Sequence, residues 1–290
     1  MPKKIGTIDF DGRTIRVLIS KGEEVLHWAS TSVSGDLMNQ GLIGKPDGMA
    51  AQITGLLGPS GVPTRRIVTS LTAHRATSKV LTLPKVKPKY LDEAVRRKAK
   101  QEMPLPMQET YLSWQVIGSQ DGQLQIYAFA VPRAIIDRQV ETLKAAKLKP
   151  RAMDLKPLAL ARAVNDPNCI VVNLEDQSLG VVLVANGAPE IMRSVPQTTE
   201  DASPADRVEK LSQELNRTIQ FYEEAHRGSP LPPETKIYAT GLLLESEEIR
   251  QLLARRTSYP VELPRPPMQL PEDFPVAAFS ANLGLAMKSF

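Results

Sequence analysis

Apolar residues alternate with polar ones from the start of the chain. In "KIGTIDFDGRTIRVLISKGEEVLHWAST", short alternating runs are separated by Asp11-Gly12 and Lys21-Gly22. Asp-Gly between such runs supplies the backbone that a tight hairpin needs, so the pattern predicts three consecutive strands, Lys4–Asp9, Thr14–Ser20 and Glu24–Thr31. Met49, Ile53, Leu56 and Leu57 then recur at helical spacing, and Gly58-Pro59 is expected to stop that helix. "RRIVTSLT" reads as a further strand.

From about Ala76 to Arg151 the texture changes. "SKVLTLP" reads as a strand, and "PKYLDEAVRRKAKQEMP" as a helix opening after Pro88 and closed by Pro104. "ETYLSWQVIG" and "LQIYAFAVP" are two strands joined at Asp121-Gly122. "PRAIIDRQVETLKAAKL" is a helix whose first position suits Pro132. The second half then repeats the opening: "CIVVNL", "LGVVLVANG" and "APEIMRSV" are three strands, with Asn186-Gly187 as the turn between the last two. A long helix follows, capped by Ser203, with Pro204 in its first turn, Asp206 at its positive end, and an apolar stripe of Val208, Leu211, Leu215, Ile219 and Tyr222. The strand "KIYAT" and the helix "SEEIRQLLARR" complete the copy. A repeat of this size predicts two similar lobes facing a cleft, the usual place for a ligand.

Composition narrows the classes. The 290 residues are 42% hydrophobic and 23% charged, which is ordinary for a globular chain with ample core. The single Cys169 leaves no partner for an internal disulfide and reads as a small buried hydrophobe, and no secretory leader is evident, so a cytoplasmic setting is expected. No apolar run reaches membrane-spanning length. His27, His74 and His226 are scattered without metal-ligand spacing, and no serine lies in a nucleophile-elbow context. Seven Lys or Arg and two acids lie between Lys85 and Lys100, either a solvated helix face or a surface for anionic lipid or an acidic partner. Only Tyr90 lies among these charges, which argues against nucleic acid. Trp114 is expected in core packing or along a groove.

The duplicated pattern resembles the α/β, actin-like (ribonuclease-H-like) ATPase fold: two lobes facing a cleft, with a small α+β subdomain inserted in the first. The residues look like those of the PilM family of type IV pilus assembly, itself related to FtsA. The most specific likeness is "LTLPKVKPKYLDEAVRRKAKQEMPLPMQETYLSWQVIG"; "VPRAIIDRQVETLKAAKLKPRAMDLKPLALARA", "ELNRTIQFYEEAH", "IYATG" and "SANLGLAMK" follow in order. The likeness implies a first-lobe core at 1–75 with a return near 151–165, an inserted subdomain at 76–151, and a second lobe at 166–290. The family's further subdomain in that lobe is expected to be reduced, at 197–228, to a remnant or to the long helix and its lead-in.

By the same resemblance, ATP-binding members clamp phosphates with two glycine-bearing hairpins and hold Mg²⁺ through an acid in each. Here the first hairpin is Asp9, Asp11, Gly12, Arg13 and Thr14, and Asp11 stands in the family's glycine position. In the second, Asn173 replaces the acid and Glu175 the glycine, so a carboxylate faces the phosphates. Gly241 survives, but Leu242 replaces a second glycine and would crowd the base or ribose. A plain hairpin turn at Asp9–Gly12, or a bare Mg²⁺ or Ca²⁺ shared by Asp11 and Glu175, are the other readings. The expectation is a vestigial nucleotide site with no catalytic residue, no ligated metal and no cofactor. The alternative is an ATP/Mg-dependent switch. The implied partner is a PilN-like inner-membrane protein, held by its short N-terminal peptide in a groove between the first lobe's core and the inserted unit, bounded by residues from about Ala76 to Arg151. Membrane association would come through that partner, at the inner face of the inner membrane.

Overall fold

The structure, a computed structural model, describes residues 3–39, 41–58, 65–71, 76–103, 106–120, 122–197, 202–226 and 230–289. The expectations for Pro59, His74, Pro104 and Asp121 therefore fall outside the described residues.

The opening alternation forms β1 (Lys4–Asp11), β2 (Thr14–Lys21) and β3 (Glu24–Ser32). The turns are glycine-dependent, with Gly12 at φ 55° and Gly22 at φ 62°. A small unforeseen hairpin of β4 (Met38–Asn39) and β5 (Leu42–Ile43) leads into α1 (Pro46–Leu57), and β6 (Ile67–Leu71) follows. The chain then builds β7 (Thr77–Pro84), α2 (Pro88–Glu102), β8 (Thr110–Gln120), β9 (Gln123–Pro132) and α3 (Arg133–Ala145). Pro132 ends β9 rather than opening α3, a correction to the sequence reading. Next come β10 (Pro150–Leu155) and α4 (Lys156–Val164).

The second copy is β11 (Cys169–Leu174), β12 (Ser178–Ala185), β13 (Ala188–Pro196), α5 (Pro204–Ala225), β14 (Lys236–Thr240), α6 (Glu247–Ala254), β15 (Val261–Glu262) and α7 (Val276–Ala286). Ser203 caps α5 in a reciprocal capping box with Asp206, as its sequence predicts. The stripe Val208, Leu211 and Leu215 is fully buried.

Two compact units result, one of Ala73–Val140 and one of Met1–Thr72 with Glu141–Phe290. In the larger unit the two sheets have the same design. One runs β10-β6-β1-β2-β3 and the other β13-β12-β11-β14-β15. In each, the first two strands of the copy pair antiparallel and the later ones add in parallel beside the first. Helices α4 and α7 join the two sheets. Leu160 and Val164 of α4 pack on Cys169, Val171 and Val182 of the second sheet. Ala278, Phe279 and Leu283 of α7 pack on Leu18 and Val25 of the first. The helices cross at Gly284, where a Cβ would lie 1.8 Å from the Ala159 carbonyl oxygen.

The smaller unit is a three-stranded sheet, β7-β9-β8, with α2 on one face. Leu81, Leu83, Ile126 and Ala128 meet Val95 and Ala99 there. Trp114 packs half-buried on this core, and its indole nitrogen donates to Asp92 at 2.9 Å. It thus takes the core role. Among the described residues no helix is long and apolar enough to cross a membrane.

Candidate functional site: a buried charge cluster between the lobes

Strand β1 carries Asp9 and Asp11 at its end, and β2 returns Arg16 beside Asp9 in the hairpin register. From the other lobe, Glu175 follows β11, and Ser178 opens β12. Helix α4 begins with Lys156, so its side chain enters the cleft where β10 ends. All five charged residues are buried, and Arg16 and Asp9 have no exposed surface.

Their contacts form one network. Lys156 Nζ donates to Asp11 Oδ2 at 2.6 Å, Asp9 Oδ2 at 3.1 Å and Glu175 Oε1 at 3.2 Å. The Arg16 guanidinium donates to Glu175 Oε2 at 2.6 Å and to Asp9 Oδ2 at 3.2 Å. Ser178 Oγ donates to the other Asp11 oxygen at 2.7 Å, and the Leu242 amide to Glu175 Oε2 at 3.3 Å. Both lobes are therefore tied through the same charges.

Removing five charges from water costs several kcal/mol each, so such a group persists only when its members satisfy one another. Desolvation pushes the Asp9 carboxyl up, but Lys156 and Arg16 outweigh it and hold the group below its ordinary 3.8. Desolvation also pushes Asp11 up, and here, despite Lys156, the nearby Glu175 and Asp9 leave it above 3.8. Lys156 and Arg16 are each raised: burial opposes their charge, and the three carboxylates prevail. Three acids against two cations leave one negative charge in excess, and Asp11 is the acid whose ionisation that excess disfavours.

The sequence-derived site residues divide. Asp9, Asp11 and Glu175 come together. Gly12 forms the tip of the first hairpin, and a Cβ there would stand 3.0 Å from the Gln177 side chain of the second. The two tips thus leave no room for a side chain at Gly12. Arg13 and Thr14 serve the hairpin itself: the Arg13 carbonyl accepts from the Val33 amide at 2.8 Å, and Thr14 pairs with Asp11 and Ser32. The Asn173 amide oxygen accepts from Thr240 Oγ1 at 3.2 Å. Gly241, at φ 96°, has a packing reason to be glycine, since a Cβ would lie 2.5 Å from the Leu174 carbonyl oxygen. The reading of a bare cation shared by Asp11 and Glu175 is corrected: the Lys156 ammonium holds that place. No group of three or more His, Cys, Asp or Glu is arranged to hold a metal among the described residues.

Sequence reasoning missed Arg16 and Lys156. The signal was present, because each is a lone cation in a run that is otherwise nearly apolar, "TIRVLIS" and "DLKPLALA". A charge in such a place must be paired if it is buried.

The duplicated lobes, with matching strand orders and a helix pair between them, define the class, an actin-like ATPase fold. A protein of that fold and of unknown function from Bacteroides thetaiotaomicron superposes with a TM-score of 0.54 at 9% identity, over 99% of this chain and 97% of the other. The type IV pilus assembly protein PilM family matches residues 8–201, and the chain belongs to that family. A chain of the PilM–PilN type IV pilus biogenesis complex superposes with a TM-score of 0.78 at 20% identity, over 99% of this chain and 98% of that one. The cytoplasmic domain of EpsL, an inner-membrane component of the Vibrio cholerae type II secretion system, gives a TM-score of 0.56 at 12% identity, over 99% and 97%. Comparison with curated protein sequences gives no significant match.

Proposed function

We propose that this chain is a cytoplasmic scaffold of type IV pilus assembly that works by binding, with no nucleotide and no chemical step. The observation that carries this reading is the charge cluster. A triphosphate with Mg²⁺ needs backbone amides open to it and acids free to hold the metal's water shell. Here the acids are already bound to Lys156 and Arg16, and the hairpin tips lie so close that a side chain at Gly12 would meet Gln177. The residues present do not fit the group. This differs from simple repulsion by Glu175, because that carboxylate is paired with two cations that it shares with Asp9 and Asp11.

The partner in this reading is the N-terminal cytoplasmic peptide of a PilN-like inner-membrane protein, which would bring the chain to the inner face of the membrane. Family membership and the likeness to a PilM–PilN complex support it. So does the small unit's sheet. On the face away from α2, Val80, Tyr111, Tyr127 and Phe129 align by strand register, and Val80 and Tyr111 are 47% and 39% exposed. We place the peptide against this strip.

Two measurements test the reading. Thermal unfolding with and without millimolar Mg-ATP should show no shift, whereas ligand at 100 times its dissociation constant would add about 2.7 kcal/mol. Titration calorimetry with the partner's N-terminal peptide should show binding that is unchanged by Mg-ATP and weakened by Val80→Asp. A clear upward shift of the melting curve with Mg-ATP, together with nucleotide-dependent peptide affinity, would establish the switch instead.

A further inference from the structure

Helix α2 has a second face. Val95 and Ala99 are buried on the sheet, while Tyr90, Glu93, Ala94, Arg97 and Lys98 form a stripe at i, i+3, i+4, i+7 and i+8. With Leu83 from the end of β7, this stripe lines an open cleft of about 410 Å³. Leu83 and Ala94 make a recessed apolar floor, and Tyr90 stands 52% exposed at the edge with Lys89 Nζ 4.7 Å from its ring centroid.

The charges around the cleft are unbalanced. Of the two acids between Lys85 and Lys100, Asp92 is engaged by Arg96 at 2.7 Å and by Trp114 at 2.9 Å. Lys98 is held by Glu102 at 2.6 Å. Lys85, Lys87, Arg97 and Lys100 make no ion pair among the described residues. Glu93 is the one acid on the rim itself, against Arg97 and Lys98.

We propose that this cleft docks an acidic segment of a protein partner. The segment sets an apolar side chain against Leu83, Ala94 and Tyr90, and its carboxylates meet Arg97 and the flanking lysines. Charge complementarity selects the acid, and the shape selects a peptide over a bilayer. A lipid surface is broad and presses on protruding apolar groups, whereas here the apolar floor lies below a charged rim. The site is on the helix side of the sheet, opposite the strip assigned above, so it adds a second contact to the scaffold and stands without the first.

A random dodecapeptide library displayed on phage, panned on the full chain and counter-selected on the Arg97→Glu/Lys100→Glu variant, tests this. The expected result is enrichment of acidic peptides with one or two large apolar residues. A synthetic copy of the most enriched one should lose about tenfold or more in affinity with Arg97→Glu and with Tyr90→Ala. Each variant should keep the native melting temperature, which separates lost docking from lost folding. Enrichment of no acidic class, or equal binding to native and charge-reversed chains, overturns the proposal. So does co-sedimentation with phosphatidylglycerol vesicles that Arg97→Glu abolishes while no acidic peptide is enriched, because the face would then serve lipid.

Discussion

Lys156 and Arg16 give the cleft its character at the scale of single residues. Each is a buried cation whose removal would strand carboxylates with no water to solvate them. Lys156→Met should therefore destabilise the chain by about 3–5 kcal/mol, read from urea unfolding. Adding Asp11→Asn should recover part of that loss, because one of the stranded acids is then gone and the two changes share a network. Asp11→Asn alone reports on pH. A carboxyl raised in the folded state contributes stability that is complete below its ordinary 3.8 and is lost as pH rises through the raised value. Asp9, lowered, does the reverse: its contribution is present above 3.8 and lost as pH falls. The variant should thus gain on the native chain as pH rises from 3.8 toward neutrality, while both lose stability in acid through Asp9. A constant difference across that range would show that Asp11 carries no excess proton. The acids of this site were legible in the sequence from the hairpin pattern and the family likeness. The cations left a signal that was passed over, because alternation on β2 assigns Arg16 to a polar face that reads as solvent-exposed. In the fold that face is covered by α7, whose Asn282 donates to the Arg16 carbonyl at 3.2 Å.

Turns and helix contacts set the outcome at the scale of elements. The hairpins were legible because their chemistry is local. Asn186 and Gly187 both take positive φ, 53° and 76°, as Asn-Gly in a tight turn should. The cap of α5 was legible for the same reason, and Ser203→Ala should cost about 1 kcal/mol in unfolding free energy. Short strands were not legible: Met38–Asn39, Leu42–Ile43 and Val261–Glu262 are two residues each, too brief to show a period. The crossing of α4 and α7 was also hidden, since nothing local in "SANLGLAMK" announces a helix whose Ala159 carbonyl oxygen lies 1.8 Å from where a Cβ would stand at Gly284. Gly284→Ala has to push the helices apart, and it should cost about 3 kcal/mol or more, at the upper end of overpacking in a core. The same change at Gly55, which has open space around its Cβ position, should be neutral or slightly stabilising, because alanine is the better helix former.

Across the whole molecule, the duplication places two equivalent sheets around one pair of helices, and the charge cluster closes the seam that those helices leave. The repeat was legible as a repeat of patterns. What the seam holds was not, because it depends on residues distant in sequence, such as Arg16 and Glu175. Lobes that share buried charges should unfold together, so calorimetry should resolve the larger unit as a single transition. The small unit has its own core around Leu81, Ile126 and Val95, and its amides should exchange with solvent sooner than those of β1 and β11. The sealed seam also bears on time. A nucleotide-driven protein carries a clock, because hydrolysis limits how long each bound state lasts. Under the scaffold reading, a chain whose cleft is crossed by its own lysine and arginine has no such clock. Its complexes then last as long as their own dissociation rates allow, and assembly answers to how much partner is present.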